Sequence, residues 1–346
     1  MTKIAHIIPT LEIGGAEIAA INIAKLANET EYMIFPIKKI DMSLLNSSDI
    51  IHKVIFPRKI LFSYNIGLLY NLIKYKPNII ISSLWKSSFI SFLYCKLFKC
   101  KFYYFLHSSR FFNVFDSIFS RLAFRFSEAT LVDSKSAYEF YKSKYKEKKA
   151  FPFYLLLRKL NRFSKNIISE NFVFIGRVTR IKNIKLSIDL FNEIIKYHPH
   201  AKFDIYGPTP DKNYLDELNR YISELNLDNY IKFKGIIEYK KIPFILSSYD
   251  YYLQTSSAEG MAISVVEAMQ IGLIPIVTCV GEIKYYCTDL VNSIIVDEKY
   301  SCCEKILHVL NDQHLSKLLS INASKSFEDY KPISESLKKL INYEKK

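Results

Sequence analysis

The chain has 346 residues, 49% hydrophobic and 24% charged, enough apolar mass for a large buried core; this excludes a disordered chain and favours two domains over one. Its net charge of +14 is uneven: residues 1–165 hold 26 Lys and Arg against 11 Asp and Glu, while residues 166–346 hold 22 against 23. The six cysteines show no C-x-x-C pair and no zinc spacing, so no metal site is expected and a reduced, cytoplasmic setting is implied.

Lys3 to Ile8 reads as a short apolar strand, and a loop with Gly14 and Gly15 leads from it into a helix. The start carries no basic segment, apolar stretch and cleavage site, so no signal peptide is expected. The loop lacks the G-x-G-x-x-G of a dinucleotide fold, so its glycines mark either a plain tight turn or a place where something approaches the backbone. Strands are predicted near 31–36, 51–56, 78–82, 101–106 and 129–132, alternating with helical patterns near 64–75, 87–98, 113–126 and 134–144. Such alternation specifies a parallel sheet with helices on both faces, and ligands of such sheets sit beyond the carboxyl ends of the strands. His107 stands at that edge after KFYYFL, with Ser108, Ser109 and Arg110 in the same loop. A lone histidine there is more often structural than catalytic.

From Trp85 to Phe126 aromatics and cations interleave, as in Lys86, Lys99, Arg110, Phe112, Arg121 and Arg125. Core packing accounts for most of the aromatics. An exposed minority beside cations suits an anionic membrane leaflet, where each Lys or Arg contributes ~1 kcal/mol. The most apolar region, Phe89 to Phe105, is broken by Lys96, Lys99 and Lys101, so no transmembrane helix is predicted. Lys142 to Lys165 is Lys-rich, contains Pro152 and reads as an interdomain linker.

NFVFIGRVTRIKNIKLSIDLFNEIIKYHP then gives a strand, a loop and an amphipathic helix. Arg177 and Lys182 lie in that loop and at the helix start, where cations oppose the helix dipole unless an anion compensates them, which suggests a phosphate site. A strand ending at Gly207, a helix near 211–225, a strand ending at Gly235, a helix over 238–248 and the strand DYYLQT follow. Thr255 to Thr278 is a polar loop, a helix and a strand. Ile263, Val265, Val266, Ala268, Met269 and Ile271 leave that helix no solvent stripe, so it is predicted to be buried. Glu267 on it then requires a donor, from the protein or a ligand. Just before the helix, Gly260 lets a ligand approach, and the N–H groups of Met261 and Ala262 could meet a phosphate or sugar oxygen while Glu259 accepts from a hydroxyl. Taken alone, two such glutamates are more often one buried structural acid and one helix-start acid than a ligand site.

Glu259, Gly260, Glu267, Ala268, Met269, Gly272 and Pro275 together resemble the signature of retaining glycosyltransferases of family 4. The loop with Gly14, Gly15 and Glu17 resembles that family's Gly-Gly-x-Glu entry, Gly176–Arg177 followed by Lys182 its donor-diphosphate grip, and His107 a histidine near the donor sugar. The resemblance implies the GT-B fold, two facing Rossmann-like doubly wound domains with an interdomain cleft. Residues 1–160 would be the acceptor side, residues 161–326 the donor-binding domain, and a helix over 327–346 would cross back to the first domain. It implies a nucleotide-sugar donor with Gly15, Gly176, Arg177, Lys182, Gly260, Met261 and Ala262 about it, Glu259 on the sugar and Glu267 on the ribose, and transfer with retention. Two positions depart: Ala262 stands where the family usually has Gly, and Glu282 follows Gly281 where the family has a glycine pair. No D-x-D motif is present, in keeping with a metal-independent reaction and no cofactor.

The basic first half fits a glycan or polyprenyl-diphosphate-linked acceptor in surface polysaccharide synthesis, of the O-antigen, lipopolysaccharide or capsule type, at the inner face of the cell membrane. A catalytically silent, transferase-like binding subunit is the alternative. Nucleic acid is not an expected partner, because no nucleic-acid motif is present and the basic residues are not gathered on one element.

Overall fold

A computed structural model describes residues 2–12, 15–27, 30–42, 45, 50–108, 110–146, 149–153, 158–165, 167–297, 299–330 and 333–344. Gly14 and Ser109 lie outside the described residues. The chain divides into two compact units, Met1–Leu157 with Lys331–Lys346, and Arg158–Tyr330.

The first unit is built on a six-stranded sheet of β1 (Lys3–Ile8), β2 (Glu31–Pro36), β3 (Ile79–Ser83), β4 (Lys101–Leu106), β5 (Ala129–Val132) and β6 (Ala150–Pro152), in the order β2-β1-β3-β4-β5-β6. All pairings are parallel. β3 and β5 are buried along their whole length, as continuous apolar runs in a doubly covered sheet should be. Helices Gly15–Leu26, Tyr64–Tyr75, Trp85–Phe98, Val114–Phe126 and Lys135–Lys144 connect the strands. The last two start where a side chain takes an orphan N–H: Asn113 accepts from the Asp116 amide at 2.8 Å and Ser134 from that of Ala137 at 3.3 Å.

The second unit repeats the plan with β7 (Asn171–Ile175), β8 (Lys202–Tyr206), β9 (Ile231–Gly235), β10 (Tyr251–Gln254), β11 (Ile274–Thr278) and β12 (Ile294–Val296), in the order β12-β11-β10-β7-β8-β9 and again all parallel. The chain reverses its direction of winding between β7 and β10, and the carboxyl ends of those two strands flank the crevice where such sheets take ligands. Helix Ile263–Ile271 is buried from Val265 to Ile271, as its lack of a polar stripe predicts.

Three predicted segments differ. Residues 51–56 form no strand: Ile51–Lys53 is a 3-10 turn, and Val54 makes a single bridge to Ile34. The helix predicted over 238–248 shrinks to a 3-10 turn, Tyr239–Lys241, and Ile242–Leu246, because Pro243 fits only a first turn. The stretch read as a linker is partly structural: β6 lies within it and pairs with β5, where Ala150 and Phe151 provide apolar strand residues that the surrounding lysines mask. The C-terminal helix, Ile333–Glu344, packs on helix Gly15–Leu26 and β6 and belongs to the first unit.

Candidate functional site

In the second unit the loops after β7 and β10 are laced together. The Ser257 amide donates to the Ile181 carbonyl at 2.8 Å, and the Thr255 hydroxyl donates to the Asn183 carbonyl at 2.9 Å. This lacing brings two predicted residues into contact: Lys182 Nζ donates to Glu259 Oε1 at 2.6 Å, with the side chains 19% and 8% exposed. Gln254, wholly buried at the end of β10, donates to the same oxygen at 3.0 Å. The anion that offsets Lys182 at the start of its helix is therefore Glu259. Arg177 follows Gly176 at the end of β7, is exposed, and has no hydrogen-bond or ion-pair partner among the described residues.

Helix Ile263–Ile271 is preceded by Ala262 in the left-handed region, at φ 52°. The methyl group at the family's usual glycine position is accommodated at a cost of about 1 kcal/mol in backbone strain. The N–H groups of Gly260, Met261 and Ala262 have no acceptor among the described residues, so the amino end of the helix is open to an anion. The loop after β11 braces this end: the Glu282 amide donates to the Gly260 carbonyl at 3.0 Å, and the Tyr286 hydroxyl to the Met261 carbonyl at 2.9 Å. Gly281 makes that bracing feasible, because a Cβ there would lie 2.2 Å from the Glu259 carbonyl oxygen.

Glu267 finds its donors in the protein. Its Oε1 accepts from Arg158 Nε at 2.8 Å and from the Tyr239 hydroxyl at 3.1 Å. Burial pushes the carboxyl above its ordinary pKa, and the Arg158 charge offsets part of that rise. Sequence reasoning missed Arg158, which lies in the lysine-rich stretch set aside as a linker. A buried helical carboxylate demanded such a partner, but no spacing pointed to this one. The buried Nη2 of Arg158 has no partner among the described residues and is left to a ligand oxygen or water.

In the first unit Gly15 opens helix Gly15–Leu26, and His107 follows β4. His107 belongs to a hydrogen-bonded chain across the strand ends. Tyr32 Oη lies 2.5 Å from His6 Nδ1, His6 Nε2 2.7 Å from Ser83 Oγ, Ser83 Oγ 2.9 Å from His107 Nε2, and His107 Nδ1 3.0 Å from Asp133 Oδ2. The Asp133 carboxylate can only accept, so His107 Nδ1 carries a proton. Burial, with His107 nearby, lowers the His6 pKa to about 3, and burial raises that of Tyr32 well above 10, so both are neutral at pH 7. Every donor has an acceptor if each group passes its proton the same way, Tyr32 to His6 to Ser83 to His107 to Asp133. The Nε2 that a sugar hydroxyl would seek is then already engaged by Ser83. Neither Ser83 nor Asp133 carried a sequence signal beyond its place at a strand end.

Among the described residues no cluster of three or more His, Cys, Asp or Glu is placed to hold a metal ion, and no helix is long and apolar enough to cross a membrane.

Residues 158–326 match the family described as glycosyl transferases group 1. The chain is 25% identical over 158 residues to the alpha-monoglucosyldiacylglycerol synthase of Acholeplasma laidlawii, covering 46% of this chain and 39% of that protein. It is 27% identical over 177 residues to the poly(glycerol-phosphate) alpha-glucosyltransferase of Bacillus subtilis, covering 48% of this chain and 24% of that protein. These matches therefore span well under half the length of either relative. Over the whole chain the fold superposes on Anabaena HepE, solved with UDP and glucose, at a TM-score of 0.82, 18% identity and 100% coverage of both chains. It superposes on the sucrose-phosphate synthase of Thermosynechococcus elongatus at 0.80, with 14% identity and 99% coverage of both. The chain thus has the two-domain GT-B fold, and the part of it that matches glycosyl transferases group 1, residues 158–326, is nearly the whole of the second unit.

Proposed function

We propose that this protein transfers a sugar from a nucleoside-diphosphate sugar to a glycan or lipid-linked acceptor, with retention and without a metal ion. The observation that carries the reading is the Lys182–Glu259 pair set beside three open N–H groups at the carboxyl ends of β7 and β10. Departure of the nucleoside diphosphate gathers negative charge on its phosphate. Lys182, the exposed Arg177 and the amides of Gly260 and Met261 supply fixed positive ends for that charge. Donor binding then exchanges one contact for two: Lys182 turns to the diphosphate, and Glu259 is released to accept from a sugar hydroxyl. Glu267, fixed by Arg158 and Tyr239, takes the ribose. The sequence offers no obvious second catalytic carboxylate for a double displacement, which favours departure and attack on the same face of the sugar.

Two relatives are named for a diacylglycerol lipid and a glycerol-phosphate polymer, which supports an acceptor carried on a membrane or a surface polymer. The basic residues 1–165 and the exposed Phe89, Phe98, Phe112 and Phe115 support peripheral attachment to an anionic inner leaflet. A panel of nucleoside-diphosphate sugars in EDTA tests the donor site: one of them is expected to raise the unfolding temperature and to lose that effect in Lys182→Ala. No shift with any donor would remove the transferase reading. An inverted product anomer by NMR would remove retention alone, and recovery of turnover only on adding a divalent ion would remove metal independence.

A further inference from the structure

Between β2 and helix Tyr64–Tyr75 the chain makes a tight turn with its two central residues in the left-handed region, Leu61 at φ 45° and Phe62 at φ 62°. Ile60 and Ser63 close it, exchanging backbone hydrogen bonds at 3.1 and 2.8 Å. This is the conformation that Asn-Gly or Gly-Gly adopts at low cost and that large side chains rarely take. The strained pair is not recovering its cost by packing: Leu61 is 80% exposed and Phe62 92% exposed. The turn is nonetheless held firmly. Ser63 is the residue before the helix, and Gly67 lets the Arg58 carbonyl lie so close that a Cβ would fall 1.6 Å from its oxygen. The neck of the turn is Arg58 and Lys59, both exposed, with Lys59 5.9 Å from the Phe62 ring centre. The apolar surface runs on along one helical face through Ile66, Tyr70 and Ile73, each more than 40% exposed at spacings of four and three.

Charge selects the occupant. From Ile50 to Phe115 the sequence holds ten Lys and Arg and no Asp or Glu. A second copy of this surface would set cation against cation, and a nucleic acid could stack on Phe62 but would leave Leu61 and the aliphatic Ile66 and Ile73 in water. An anionic bilayer satisfies both parts, with the tip at the headgroup and acyl boundary and the neck at the phosphates. We propose that the Leu61–Phe62 turn is a membrane wedge that inserts into an anionic leaflet, with Arg58 and Lys59 as its phosphate contacts. The inference rests on the peripheral-membrane reading above and assigns that attachment to one turn.

The full chain is sedimented with vesicles of phosphatidylcholine alone and of phosphatidylcholine with phosphatidylglycerol. The key variant is Leu61→Asn with Phe62→Gly, which gives the turn its preferred residues. It is expected to unfold at a higher temperature than the wild type while binding the anionic vesicles at least tenfold more weakly, so loss of binding is not loss of fold. Phe62→Trp is expected to keep binding and to show blue-shifted, bromolipid-quenched emission beyond that of Trp85 alone. If the Asn-Gly variant binds anionic vesicles as the wild type does, the wedge is overturned and the peripheral reading stands. If the wild type binds neither vesicle, both fall. A variant that loses only a concentration-dependent dimer, or only binding to single-stranded RNA, would reassign the turn to a second copy or to nucleic acid.

Discussion

Lys182 and Glu259 are individually unremarkable by type, and their meaning comes from what each leaves behind if the other is removed. Lys182→Met strands a carboxylate that is 8% exposed with Gln254 as its remaining donor, at an expected cost of about 1–3 kcal/mol. Adding Glu259→Gln removes the stranded charge, so the double variant should recover most of that stability. Transfer should not recover, because both proposed donor contacts are gone; a fall of about 100-fold or more in kcat/KM is expected in the single and double variants alike. Chemical denaturation and nucleotide release on the four proteins form the cycle, and recovery of turnover with stability would make the pair merely structural. His6 gives a second residue-scale test. Its folded pKa of about 3 lies below the ordinary 6.5, so its contribution to stability is present above pH 6.5 and is lost as the pH falls toward 3. Within that window about 1.4 kcal/mol is lost for each pH unit. His6→Gln, still facing Tyr32 and Ser83, should flatten the curve of stability against pH between those limits, whereas the carboxylates elsewhere leave their own slope unchanged.

At the scale of elements, the site is a matter of how closely neighbouring strand ends can approach. Gly207 follows β8 at φ 138°, and a Cβ there would lie 1.9 Å from the Gly176 carbonyl oxygen. Gly207→Ala therefore combines a disfavoured dihedral with a backbone clash, and a loss of at least about 2 kcal/mol is expected, with weaker donor protection because Arg177 moves with Gly176. A thermal melt with and without the nucleotide sugar reads both effects. The glycines, the alternating strands and helices and the buried helix Ile263–Ile271 could all be read from the chain, since each is a local pattern of periodicity or backbone freedom. Glu259 and Lys182 could be paired only through the resemblance. Arg158, Ser83 and Asp133 could not, because their contacts join residues 109, 24 and 26 positions apart through the fold, which no short pattern contains. The misplaced strand at 51–56 has the same origin: it is apolar enough for a strand, but Val54 finds only a single bridge to Ile34.

On the scale of the whole molecule, the two units depend differently on the chain's ends. The second is one continuous segment, Arg158–Tyr330, with its own core of residues such as Phe172, Ile188, Phe203 and Ile276. The first is discontinuous, because Lys331–Lys346 returns to it and helix Ile333–Glu344 lies on helix Gly15–Leu26 and β6. Leu337, Leu340 and Ile341 of that helix are at most 7% exposed. At roughly 1.5–3 kcal/mol for each buried aliphatic side chain, deleting the helix removes several kcal/mol from the first unit, a large share of the stability of a domain this size. It also uncovers apolar surface on Gly15–Leu26. A chain ending at Tyr330 should therefore melt in two steps, the first unit early and the second near its original temperature, with nucleotide-sugar protection confined to the later step. A single cooperative melt, lowered throughout, would show instead that the segment Arg158–Tyr330 draws its stability from the first unit. The full-length chain should show one dominant transition under the same conditions, which makes the comparison a test of the C-terminal helix rather than of the donor site.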